Sequence, residues 1–223
     1  MNTVKINYFS DVLCIWAYLA HVRIEELQNS YPNEVELIPG FFQVFGFATE
    51  KLKNNWKDKG GIEAYDRHIV KVADEFDHID VKPNVWTLTQ PKSSMPAHLY
   101  LSAIKYLENL KRIEAGTLSK TMWNFRLSFF KQGMDISCFK TLESIANKMQ
   151  LPITEIKSAI DSGIAHAELS KDLLQAQNLD VNVSPTLIFN EGRQKLSGNV
   201  GYRVIEANIK ELLSNPKSQK SWC

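Results

Sequence analysis

The hydrophobic period of this chain changes twice, and that alternation constrains its fold more than any single residue. Val4 to Phe9 alternates apolar and polar residues, the period of a half-buried strand. After a turn at Ser10-Asp11, Trp16, Leu19, Ile24 and Leu27 mark a helix, which Tyr31-Pro32-Asn33 breaks. Val35, Leu37 and Phe41 alternate with Glu34 and Glu36 as a second strand, completing a strand-helix-strand unit. From about Thr49 to Gly163 the period becomes helical. Leu99, Ala103, Tyr106 and Leu110 form one stripe, and Leu118, Met122, Phe125 and Phe129 a second. Phe139, Leu142, Ile145 and Met149 form a third, followed by Ile153, Ile156 and Ile160. Ser93-Ser94 ahead of Pro96 suits a helix start, and Pro152 and Gly163 mark joints. The last sixty residues or so return to mixed character. Leu169, Leu173 and Ala176 form a helix face, and Pro185 to Asn190 is a short apolar run. Asn190 to Arg193 reads as a hairpin turn before a strand from Gln194 to Leu196. A final helix after Gly201 turns Ile205, Ile209 and Leu212 inward. The fold class is α/β, with 1–48 and 164–223 as one domain and 49–163 as a helical insertion.

Charge and cysteine content narrow the function classes. Against 26 Lys plus Arg stand 25 Asp plus Glu, a net charge of +1, so bulk charge does not recruit nucleic acid. No apolar run approaches the roughly 18 residues of a membrane span. The first residues alternate and then turn, where an export signal has a basic start and an apolar stretch of about 7–15 residues. A cytoplasmic, reduced protein is expected. Cys14, Cys138 and Cys223 are spaced too widely for a disulfide scaffold or a zinc site. His21, His68, His78, His98 and His166 show no ligand spacing, so no metal is expected. The oligomeric state is open, a dimer included.

Cys14 lies between a strand and a helix, where the helix N-terminus favours a thiolate. The plainer reading is a small buried apolar side chain. Cys138 opens an amphipathic helix and reads as structural, and His98 as a helix residue near the cleft between domains. Trp56, Trp86 and Trp123 read as core or cleft wall, and Lys51 to Lys59 as a solvated basic face.

Ser10-Asp11-Val12-Leu13-Cys14-Ile15-Trp16-Ala17-Tyr18-Leu19 resembles the active-site segment of the DsbA-like branch of the thioredoxin superfamily. The FrnE-type members carry Cys-Pro-Trp-Cys there. More distant members are the kappa-class glutathione transferases and the 2-hydroxychromene-2-carboxylate isomerases, which carry Ser at the position of Cys14. This chain keeps the first Cys and the Trp, but has Ile15 and Ala17 at the proline and second-cysteine positions. Pro91 to His98 and Asp135-Ile136-Ser137 resemble helix-opening segments of the family, and Val183-Ser184-Pro185-Thr186 its cis-proline site. The resemblance implies a thioredoxin-like fold with a large helical insertion. It implies Cys14 as the reacting thiol, with Trp16 beside it and the Ser184–Pro185 backbone positioning a bound thiol peptide or glutathione as an extra strand. Glutathione-binding relatives hold the γ-glutamyl end with a Gly-Asn/Ser-Asp-Arg segment. Gly198 and Asn199 match its start, but no Asp follows and Arg203 sits further on.

The leading expectation is a thiol–disulfide oxidoreductase acting through Cys14 alone, because Ala17 cannot resolve a mixed disulfide. No cofactor is expected to be permanently bound, with glutathione as a candidate co-substrate. The partner is a thiol peptide or small-molecule thiol, and Cys223 a candidate resolving thiol. The alternatives are a glutathione-dependent isomerase or transferase and a non-catalytic peptide-binding module.

Overall fold

The computed structural model describes residues 3–214. Four strands, β1 (Val4–Ser10), β2 (Val35–Phe41), β3 (Thr186–Phe189) and β4 (Gln194–Ser197), form one sheet in the order β2-β1-β3-β4. β1 and β2 are parallel, with Val4 opposite Val35 and Ser10 opposite Phe41. A parallel pair needs a crossover, and α1 (Ile15–Ser30) supplies it. β3 runs antiparallel to both β1 and β4, with Tyr8 opposite Leu187 and Thr186 opposite Ser197. Between β3 and β4, Asn190, Glu191 and Gly192 take positive φ values of 50°, 57° and 98° and turn the chain.

Strand β2 lies at the sheet edge, which tolerates Pro39. Its neighbour Gly40 is fixed by packing: a Cβ there would stand 2.6 Å from the Phe9 ring. Helices cover this edge. The α5 helix (Met95–Asn109) follows α2 (Ala48–Asn55), α3 (Gly61–Ala73) and α4 (Val85–Thr89). It precedes α6 (Thr117–Phe130), α7 (Phe139–Lys148), α8 (Ile153–Asp161) and α9 (Ile164–Asn178). Lys105 of α5 donates to the Pro39 carbonyl at 2.8 Å, and Asp172 of α9 accepts from the Phe41 amide at 3.3 Å. The two side chains pair at 2.7 Å, so the outward groups of β2 are engaged rather than open to another strand.

The α5 helix is the hub of the inserted block and packs on α6, α8 and α9. It opens as its sequence predicts, with Pro96 in the first turn. Leu110, the last residue of its predicted stripe, falls beyond the helix and is exposed, and Leu107 is buried in its place. One hydrophobic cluster runs from Ile6 and Leu19 through Trp86 and Phe129 to Ile145, so the sheet and the inserted helices share a core. The last helix, α10 (Tyr202–Ser214), buries Ile205 and Ile209 and packs on α1 and β1. Among the described residues no helix is long and apolar enough to cross a membrane.

Candidate active site

The end of β1, the start of α1 and the start of β3 meet at Cys14. The Ser184–Pro185 peptide is cis. The Cys14 thiol donates to the Ser184 carbonyl at 3.2 Å, which brings the two sequence-predicted centres into contact. The Gly198 amide donates to the Pro185 carbonyl at 2.7 Å, tying the turn before α10 to the same loop. Asn199 is exposed and makes no contact with Cys14; its side-chain carbonyl accepts from Arg23 of α1. Trp16 is half-buried in the first turn of α1 and packs on the core. Cys223 lies outside the described residues. Cys138 caps α7 and is exposed.

Asp11 holds this junction together. It is fully buried, and its carboxylate accepts from the Leu13 and Phe45 amides and the Ser94 hydroxyl, each at 2.8 Å. Its own amide donates to the Ser184 hydroxyl at 2.9 Å. One carboxylate therefore joins the Cys14 turn to the segment after β2 and the start of α5, and the amide of the same residue holds the cis-proline loop. A buried acid needs such a shell of donors.

His98 and Arg126, both fully buried, stand behind Asp11. His98 Nε2 accepts the Val12 amide at 3.2 Å and lies 3.7 Å from the Asp11 carboxylate. Burial, assisted by Arg126 against the pull of Asp11, pushes His98 below its ordinary range. A neutral ring agrees with an Nε2 that accepts a hydrogen bond. The Arg126 guanidinium donates to the Ser10 hydroxyl at 2.8 Å, while its Nε and Nη1 have no hydrogen-bond partner. On the other side, Tyr65 packs against Phe45, Trp56 and Trp86. Burial raises its hydroxyl well above the tyrosine range, and the charges of Cys14 and Asp11 add to the rise.

The thiol itself departs from the sequence expectation. A helix start alone predicts a lowered pKa, but burial pushes the Cys14 thiol up. The Ser184 hydroxyl and the Ala17 and Trp16 amides oppose the rise, and the Asp11 charge adds to it. Desolvation outweighs the helix terminus because Cys14 is only 5% exposed.

A family model of the DSBA-like thioredoxin domain matches residues 5–210 of this sequence. The chain belongs to the DSBA-like thioredoxin family. Solved structures agree on its fold. A probable DsbA oxidoreductase from Streptomyces coelicolor superposes with TM-score 0.70 at 14% identity, over 99% of this chain and 93% of that one. A 2-hydroxychromene-2-carboxylate isomerase gives 0.66 at 13%, over 97% and 100%. The cytosolic disulfide reductase DsbM of Pseudomonas aeruginosa gives 0.65 at 14%, over 93% and 99%, and its structure with GSH gives 0.64 at 14%, over 96% and 100%. A comparison with curated proteins by sequence finds no match.

Asp11 and His98 enter the sequence analysis only as a turn residue and a helix residue near the cleft, and Arg126 and Tyr65 not at all. Asp11 carried a signal, as an acid three residues before a candidate thiol. Arg126 and Tyr65 carried none, because helices folded back from remote parts of the chain bring them to the site.

Proposed function

We propose that this protein is a single-thiol member of the DSBA-like family that exchanges Cys14 with a mixed disulfide, using glutathione as the second thiol. The observation that carries the reading is the contact of the Cys14 sulfur with the Ser184 carbonyl beside cis-Pro185. A substrate backbone lying along Ser184 would bring its sulfur to Cys14. The Cys14 thiolate attacks one sulfur of the substrate disulfide. A Cys14–substrate disulfide forms and the other sulfur leaves as a thiolate, which takes the proton Cys14 gave up. Ala17 offers no resolving sulfur. A glutathione thiolate then attacks the substrate sulfur of the mixed disulfide, so that a glutathione–substrate disulfide forms and Cys14 leaves as a thiolate, which takes the proton glutathione gave up. The DsbM neighbour with GSH supports a small thiol as the partner, and a cytosolic setting would supply it reduced.

A second reading rests on the buried, protonated thiol. Cys14 would act as a hydrogen-bond donor to a bound glutathione sulfur, in an isomerase or transferase whose chemistry resides on glutathione. Turnover of a glutathionylated peptide by reduced glutathione separates the two. The exchange reading expects activity that Cys14→Ser abolishes. Glutathione binding without turnover, retained in Cys14→Ser, would contradict it and favour the second reading.

A further inference from the structure

The basic stretch Lys51 to Lys59 divides into two pairs once folded. Lys51 lies over the Phe45 ring at 5.6 Å and Lys59 over the Trp56 ring at 5.5 Å, so both have aromatic partners. Lys53 and Lys57 have neither a ring nor an ion pair among the described residues. They line a pocket of about 340 Å³ formed by α2, the start of α3 and α4. Leu52, Ile62 and Pro91 supply aliphatic wall, Trp86 the aromatic part, and no acidic side chain lines it. The Trp86 indole N–H is buried and has no hydrogen-bond partner. Small-ligand sites combine this kind of apolar lining with a few polar groups, in volumes of about 300–1,000 Å³.

We infer that this pocket binds a small aliphatic carboxylate, with its chain against Leu52, Ile62 and Pro91 and its head group at Lys53 and Lys57. The charge argues for the anion, since two lysines without an ion pair stand at the pocket and no acid lines it, the other polar lining being the uncharged Thr49 and Gln90. The aliphatic lining argues for an acyl chain. This site includes neither Cys14 nor Ser184, so the inference stands apart from the thiol-exchange reading.

Calorimetric titration of the full chain with sodium octanoate, beside octanamide as the uncharged analogue, tests it. Saturable one-site binding is expected, with octanamide weaker by about tenfold, because it lacks the charge that pairs with the lysines. Lys53→Glu/Lys57→Glu should weaken octanoate to a similar degree, and Thr49→Trp, which fills the pocket, should abolish binding. Cys14→Ser should bind octanoate as the wild type does. If Thr49→Trp fails to fold by circular dichroism, the lysine variant decides. Absence of saturable binding, equal affinity for octanamide, or indifference to Lys53→Glu/Lys57→Glu would overturn the inference.

Discussion

At the scale of single residues, the site is a contest between burial and hydrogen bonding around one sulfur. Burial raises the Cys14 thiol, and the Asp11 charge adds to that rise. Asp11→Asn removes the charge and keeps the side chain's shape. It should therefore lower the Cys14 pKa, seen as a downward shift in the midpoint of alkylation rate against pH. An unchanged or higher midpoint would show that Asp11 does not act on the sulfur electrostatically. Cys14 and the Ser184–Pro185 pair were legible in the sequence because each sits in a contiguous motif. The contacts of Ser94, His98 and Arg126 with the first of these motifs were not. These residues reach the 10–12 turn from 83, 86 and 116 residues away, so only packing reveals them.

At the scale of elements, α1, α5 and α6 together bury two neutral imidazoles beside a guanidinium. Burial first, and Arg126 second, push His21 down to about 3 and His98 below its ordinary range. The unfolded chain takes up these protons near pH 6.5 and the folded chain resists them. Stability from both groups is therefore complete above about pH 6.5 and declines as pH falls toward the folded values, by up to about 1.4 kcal/mol per pH unit for each group. Arg126→Met fills a similar volume and removes the positive charge, so both histidines should rise. The loss of melting temperature between pH 7 and pH 5 should be smaller in the variant than in the wild type. An equal or larger loss would contradict this assignment. Helices were legible where apolar stripes are long, as in α5 and α6, although the α5 stripe runs one residue past the helix end. The stretch 48–89 showed only a general helical character. Its helices are 8, 13 and 5 residues long, and α4 buries only Val85 and Trp86, too few positions to establish a period.

At the scale of the whole molecule, the sheet and the inserted helices are continuous through one core, and Cys14 lies in it. The succession of strands and helices along the chain was readable from the changes of period, since strand and helix repeats differ along the sequence itself; the spatial order β2-β1-β3-β4 was not. Burial of the thiol is the plainer of the two readings Cys14 offers in the sequence, and the structure has it at 5% exposed; that burial outweighs the helix terminus was not legible, because the enclosing core is assembled from several elements. The reading proposed above makes this enclosed sulfur the group that reacts. Intact mass after exposure to oxidised glutathione tests it directly, in a Cys138→Ser/Cys223→Ser background that leaves Cys14 as the only thiol. One glutathionyl adduct is predicted, removed by reduced glutathione and absent when Cys14→Ser is added. A chain that stays unmodified under conditions that glutathionylate Cys138 in the wild type would contradict the claim.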